Sequence, residues 1–304
     1  VLQVIEGIAH ATSTIAAHLL TANGDTAAGS TNSFGDHQLE IDLHADEVIF
    51  NALRASGAVV VAASEEKPSE QDMGGGSVGF DPLDGSSIID TNFTVGSIFG
   101  VWPGKGMLGQ TGRQQSAALM SVYGPRTHLV IALPASVTGY KAVCFDLQLH
   151  PQQGAWAVSH RALSIAPAGK VFAPGNLRAT SDNPNYMSLI QHWVTERYTL
   201  RYSGGMVPDV YHILIKGKGV FSNVSSATAK AKLRLVYECA PLALLVEAAG
   251  GATLVAPSAG EANPSPISVL DIKIEDLDQR MGVFYGGTEE VELCRKHMFP
   301  SCSK

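Results

Sequence analysis

Cysteine is scarce in this chain: Cys144, Cys239, Cys294 and Cys302 are the only four in 304 residues. Their spacing forms neither a Cys-x-x-Cys pair nor a disulfide framework, which argues against a disulfide-stapled secreted scaffold and for a reducing compartment. Basic residues are outnumbered as well, with 21 Lys and Arg against 28 Asp and Glu and a formal charge of −7. Nucleic-acid binding draws on basic excess, so no nucleic-acid partner is expected. No apolar run reaches the ~20 residues that span a bilayer, so no membrane partner is expected either. Val1-Leu2-Gln3-Val4 does not read as a signal sequence. Repeats, low-complexity segments and histidines at ligand spacing are also missing. What is present, 45% hydrophobic residues over this length, predicts a soluble chain with a substantial core and two subdomains.

Hydrophobic periodicity predicts helices over 2–20, 43–56, 114–120, 185–197, 209–215 and 233–249, and one starting at Glu289. Apolar β-branched runs predict strands over 58–63, 78–81, 94–102, 127–133, 141–147, 155–158, 170–173, 219–222, 252–255 and 283–285. Residues 67–76 read as an acidic, glycine-rich loop, and 199–202 as an extended segment. The subdomain boundary is expected at 165/166, giving 1–165 and 166–304.

The stretch Phe80-Asp81-Pro82-Leu83-Asp84-Gly85-Ser86-Ser87 sets two carboxylates three residues apart, then a glycine and two small hydroxyl residues. Hard cations such as Mg²⁺ take oxygen ligands, usually a few carboxylates with a substrate phosphate completing the shell. Glu65, Glu66, Asp81 and Asp84 offer that set if the strands 58–63 and 78–81 are neighbours, because ligands gather at the carboxyl ends of strands in open α/β sheets. A solvated loop is the alternative for Glu65-Glu66, and a turn for Asp81–Asp84. Gly85, Ser86 and Ser87 add backbone amides suited to holding a phosphate. Asp36 and Asp42 either share one side of a strand or tight turn, or act as a helix cap and an exposed acid. Lys230, Lys232 and Arg234 alternate onto one face, which makes either a phosphate cradle or a basic helix entrance. Glu238 lies in a helix that is otherwise apolar nearly all round, where a carboxylate must be paired, protonated or metal-bound. Arg178 and Arg201, among small polar residues, are further phosphate candidates or salt-bridge partners.

Glu65-Glu66, Phe80 to Ser87, Lys232-Leu233-Arg234 and Tyr237-Glu238-Cys239 together resemble the fructose-1,6-bisphosphatase and sedoheptulose-1,7-bisphosphatase family of Mg²⁺-dependent, lithium-sensitive phosphatases, over nearly the whole chain. Inositol monophosphatase relatives share Asp-Pro-x-Asp-Gly but carry a later Trp-Asp motif where this chain has Glu238. The strings at 71–75, 91–96, 98–104, 174–183 and 198–202 are similar to the members that act on the seven-carbon sugar rather than the six-carbon one.

The resemblance implies an α/β (α+β) fold, a five-layered αβαβα sandwich of two subdomains with the active site between them, assembled as a homodimer. It implies hydrolysis of the 1-phosphate of sedoheptulose 1,7-bisphosphate. The alternatives are a fructose-1,6-bisphosphatase or dual-specificity enzyme and, in a different class, a catalytically silent sugar-phosphate sensor. Glu65, Glu66, Asp81, Asp84, Glu238 and the Leu83 carbonyl would hold two or three Mg²⁺ ions, with Mn²⁺ as an alternative. Asp42, assisted by Asp36 and Glu66, would accept the proton. Gly85, Ser86 and Ser87 would hold the reacting phosphate, Lys232 the sugar and Arg201 the distal phosphate, with Asn176, Arg178, Tyr202, Gly204 and Arg234 completing the substrate set.

Plant-type members carry a redox-active Cys-Gly-Gly-Thr-x-Cys loop before Asn-Thr-Phe-Gly-Asp. Here Asp25-Thr26-Ala27-Ala28-Gly29-Ser30 precedes Asn32-Ser33-Phe34-Gly35-Asp36, so a thioredoxin switch is not expected. The amino-terminal AMP-binding segment is not seen, and the Lys-Tyr pair that helps hold AMP is replaced near Gly75-Gly76, so AMP inhibition is not expected. The compartment is left open between cytosol and plastid stroma.

Overall fold

The computed structural model describes residues 1–22, 27–31, 37–257 and 265–300. Helix α1 (Leu2–Leu19) precedes an antiparallel ribbon of β1 (Ala27–Thr31) and β2 (His37–Leu39), and then helix α2 (Glu40–Ser56). A seven-stranded sheet follows, built from β3 (Val59–Ser64), β4 (Gln71–Asp84), β5 (Val95–Trp102), β6 (Ala117–Tyr123), β7 (Thr127–Leu133), β8 (Val143–His150) and β9 (Ala155–His160). A short helix α3 (Ala135–Thr138) joins β7 to β8. The strands lie in chain order across the sheet, antiparallel from β4 onward, while β3 runs parallel to the Ser77–Phe80 stretch of β4.

The second half runs β10 (Val171–Gly175), α4 (Pro184–Thr195), β11 (Thr199–Leu200), α5 (Met206–Lys216) and β12 (Val220–Asn223). A π-helical turn (Leu235–Cys239) then leads into α6 (Ala240–Ala248), β13 (Ala252–Ala256), β14 (Gly282–Gly286) and α7 (Thr288–Met298). The five strands pair in the order β11-β10-β12-β14-β13.

Strand alternation explains the layering, because neighbouring residues point to opposite faces of a sheet. Phe80, Phe99, Leu119 and Ile131 face α1 and α2, where they meet Ile8, Ile15, Ile49 and Phe50. Ile98, Met120 and Val130 face the other way, against Val210 of α5, Tyr237 of the π turn and Leu242 and Leu245 of α6. That middle layer also packs on Phe221 and Tyr285 of the second sheet, whose outer face meets Leu189 and Trp193 of α4 and Val291 and Met298 of α7. The result is the five-layered αβαβα order. A helix apolar on all sides belongs in an interior, and every residue of α6 from Ala240 to Val246 is buried between the sheets. Leu245→Ala is therefore expected to cost about 2–5 kcal/mol of stability, read as a lower urea midpoint with an unchanged m-value.

Several expected elements are redrawn. The helix expected over 114–120 is a short 3-10 turn (Gly112–Gln114) and then strand β6, all of whose residues are buried. An alanine- and leucine-rich run at the centre of a sheet has no polar face to reveal its period, and cross-strand packing overrides its helical propensity. The loop expected over 67–76 is partly strand, since β4 begins at Gln71. The helix expected to begin at Leu43 begins at Glu40, so Asp42 lies in its first turn rather than along one side of a strand. Asp25 and Thr26 of the Asp25–Ser30 loop, the Asn32–Asp36 segment that follows it, and Cys302 lie outside the described residues.

Candidate metal and phosphate site

The β3–β4 pairing sets the site's position. Ser64 pairs with Phe80, and the Glu65 amide donates to the Phe80 carbonyl at 3.1 Å, so the residue leaving β3 lies beside Asp81. The third acid arrives from the other half of the chain. In the π turn the Cys239 amide donates to the Arg234 carbonyl at 3.0 Å, a bond reaching back five residues instead of four. Such turns insert one extra residue and re-aim the side chains around it. Carboxylate oxygens of Glu65, Asp81 and Glu238 thereby lie within 4.8 Å of one another.

Burial and mutual repulsion define the electrostatics. Asp81 is pushed well above the usual carboxylate range by burial, then by the charges of Glu65, Asp84 and Glu238. Glu238 rises for the same reasons, burial first and Glu65 next, although its Oε2 accepts from the Arg234 amide at 2.6 Å. Compensating positive charge comes from the buried Arg234 guanidinium, which pairs with Glu65 and donates to Asp278 at 2.9 Å. Three clustered carboxylates, with Asp81 and Glu238 raised by desolvation, make a donor set of hard oxygens, which fits a Mg²⁺-like cation and does not suit a soft metal.

The other expected residues divide. Asp84 is buried, but its Oδ2 accepts from the Val207 amide in the first turn of α5 at 2.6 Å, and it is not one of the three clustered acids. Its pKa is pushed up to about 7 by burial, against the pull of the Val207 and Met206 amides. The Leu83 amide donates to Asp81 at 2.9 Å, which curls the 81–84 segment. Gly85 adopts φ +85°, a left-handed conformation that L side chains rarely adopt, and opens the 3-10 helix Ser86–Thr91, with Gly85 and Ser86 part-buried and Ser87 exposed. Asp42 is buried; its Oδ2 accepts from its own Leu39 amide at 3.3 Å and its Oδ1 has no partner among the described residues. Burial, then the charge of Glu66, pushes Asp42 up to about 7, with the Ser86 hydroxyl among the groups that act in the opposite sense.

On the substrate side, Lys230 and Lys232 are exposed while Arg234 is buried between carboxylates, so the three-residue basic face is split. The Asn176 amide nitrogen is spent on the Val224 and Ala229 carbonyls at 2.7 and 3.0 Å, bracing that loop and leaving Oδ1 without a partner among the described residues. Arg178, Arg201 and Tyr202 are all exposed, and the Tyr202 phenol feels Asp209, Asp84 and Arg178, so this group of side chains sits beside Asp84. Gly204, at φ +105°, lies two residues after Tyr202. Sequence reasoning passed over Asp209, whose Oδ1 accepts from the Ser203 amide at 2.8 Å and so holds the loop that carries Arg201 and Tyr202. An acid in the first turn of α5 was its only sequence signal.

Residues 2–161 match the family model for the fructose-1,6-bisphosphatase N-terminal domain, and residues 165–299 match the model for its C-terminal domain. The chain belongs to the fructose-1,6-bisphosphatase family. Membership places it among the phosphatases, and it divides the acidic centre between the two matched domains, with Glu65 and Asp81 in the first and Glu238 in the second. The chain is 50% identical over 275 residues to the chloroplastic sedoheptulose-1,7-bisphosphatase of Spinacia oleracea, covering 89% of this chain and 67% of that protein. It is 34% identical over 281 residues to the class 1 fructose-1,6-bisphosphatase of Pelobacter propionicus, covering 90% of this chain and 81% of that one. A crystal structure named for a Toxoplasma gondii sedoheptulose-1,7 bisphosphatase superposes with a TM-score of 0.87 at 37% identity, over 99% of this chain and 94% of the other.

Among the described residues no helix is long and apolar enough to cross a membrane. The cysteines within the described residues are buried and free, and burial raises the thiols of Cys144, Cys239 and Cys294.

Proposed function

We propose that the chain hydrolyses the 1-phosphate of sedoheptulose 1,7-bisphosphate, releasing sedoheptulose 7-phosphate and phosphate. The observation that carries the reaction class is the convergence of Glu65, Asp81 and Glu238 within 4.8 Å beside the Gly85–Ser86 turn. The seven-carbon sugar is favoured by the difference between 50% identity to a sedoheptulose bisphosphatase and 34% to a fructose bisphosphatase.

In this reading Glu65, Asp81 and Glu238, with Glu66, Asp84 and the Leu83 carbonyl, would hold two or three Mg²⁺ ions. Divalent cations held there would supply Lewis-acid stabilisation of the charge that develops as the phosphoryl group transfers. Gly85 and Ser86 orient the reacting phosphate through their backbone amides. Asp42, with its unpartnered Oδ1, takes the proton from the attacking water. Lys232 contacts the sugar, and Arg201, Arg178 and Tyr202 hold the distal phosphate. A homodimer is part of the same proposal, and the chloroplastic relative favours the plastid stroma over the cytosol.

Two measurements bear on this reading. Comparison of kcat/KM on the seven- and six-carbon bisphosphates should favour the former; a clear preference for fructose 1,6-bisphosphate would reassign the substrate. Gly85→Ala should lose about 1–2 kcal/mol of stability, since an L side chain is strained in the left-handed region, and should raise KM because the turn beneath the phosphate shifts. An unchanged KM would remove Gly85 from the phosphate bed.

A further inference from the structure

A cavity of about 310 Å³ lies between the β6–β7 turn and α5, and none of its lining residues belongs to the metal or substrate set above. Val122, Pro125, Pro208 and Ile215 form apolar walls, and Tyr211 adds an aromatic one. The charged and imidazole groups on the lining are Arg126, Lys216, His128 and His212, and no carboxylate joins them. That is an unusual local balance in a chain of formal charge −7. Arg126 and Lys216 are exposed and have no carboxylate partner among the described residues.

His128 shows that the cavity is built rather than incidental. It is only 5% exposed, and its Nδ1 lies 3.1 and 3.0 Å from the two oxygens of Asp146. Asp146 is wholly buried and also bonds the His160 Nδ1 at 3.0 Å. This clamp fixes the imidazole and leaves Nε2 as its remaining polar atom, for which no described residue supplies a partner. With the Nδ1 proton given to Asp146, the neutral ring presents Nε2 as an acceptor, and the P–OH of a monoprotonated phosphate or phosphonate in the cavity would supply its donor. Crowding by the cations of Arg201 and Lys216 also depresses the His212 pKa after burial has done so, a sign of positive potential at this rim.

We propose that this cavity is a second anion site, taking a compact molecule that carries a phosphate, phosphonate or carboxylate on an apolar body. Arg126, Lys216 and His128 hold the oxyanion, and the apolar walls hold the body. A sugar phosphate fits poorly, because its hydroxyls would lose water against Val122, Pro125, Pro208 and Ile215 without gaining partners. The occupant would bear on Tyr211, His212 and Ile215 of α5, the helix whose first-turn amide at Val207 holds Asp84. The proposal does not depend on which sugar the acidic centre takes.

The test is calorimetric titration of the Mg²⁺-loaded protein with phenylphosphonate, alongside inorganic phosphate. Saturable binding at one site is expected, with inorganic phosphate weaker. The Arg126→Ala/Lys216→Ala double variant should weaken phenylphosphonate at least about tenfold, the scale of losing two charge-assisted contacts. His128→Gln should weaken it too, while Asp81→Asn should leave it unchanged. Four results would each overturn the proposal: no binding, binding indifferent to the double variant, inorganic phosphate competing as tightly as phenylphosphonate for the site that the double variant weakens, or phenylphosphonate binding lost in Asp81→Asn, which would place the probe at the acidic centre.

Discussion

Glu238→Gln is expected to lower kcat/KM for the sugar bisphosphate by about 10²–10³-fold or more, the scale of removing one preorganised electrostatic group from an active site. The same variant should not be less stable in chelator, and its Tm should hold or rise. Both outcomes come from one cause. Glu238 is buried beside Glu65 and Asp81, so in the absence of a cation its charge is penalised by desolvation and repulsion. Glutamine keeps the shape and still accepts from the Arg234 amide, but it removes that repulsion along with one ligand charge. Strained functional sites commonly trade stability for activity in this way. Near-wild-type turnover at saturating Mg²⁺ would remove Glu238 from the metal set. A large drop in Tm would instead give it a purely structural role.

Asp42→Asn is expected to lower kcat by about 10²–10⁴-fold, the usual range for a positioned general base, with little change in KM. The pH profile identifies the group. Burial and Glu66 push Asp42 up to about 7, so its carboxyl holds a proton at lower pH and cannot accept another; the accepting carboxylate prevails only above that value. Wild-type kcat should therefore fall as pH drops through about 7, and this acid limb should be absent in the asparagine variant. Persistence of the limb would assign the proton to another group. Because asparagine removes a buried, partly unpartnered charge, the variant should fold at least as well, which separates lost chemistry from lost structure.

Much of the centre is legible in the chain because it follows from local rules. An apolar β-branched run ending in Glu65-Glu66 and a second ending in the Asp81–Asp84 turn place acids at strand ends, and the pairing of Ser64 with Phe80 then makes them neighbours. A charged residue in an apolar helix likewise marks Glu238 in advance. Its aim is another matter. The i→i+5 turn at Leu235–Cys239 inserts one residue into the helical count, and a period of 3.6 gives no sign of it. The partners of Asp84 and Arg234 are equally hidden, since Val207 lies 123 residues after Asp84 and Glu65 lies 169 residues before Arg234. Alternation put Lys230, Lys232 and Arg234 on one basic face, but folding buries the last of them among carboxylates. Strand β6 was lost to the same ambiguity that attends any short apolar run buried on both faces.

The most direct test of a Mg²⁺-dependent bisphosphatase built on Glu65, Asp81 and Glu238 is phosphate release from sedoheptulose 1,7-bisphosphate and fructose 1,6-bisphosphate, each with Mg²⁺ and with chelator. The expected result is release that requires Mg²⁺ and is faster from the seven-carbon substrate. Binding of either sugar with no phosphate released, or release that persists unchanged in chelator, would contradict it.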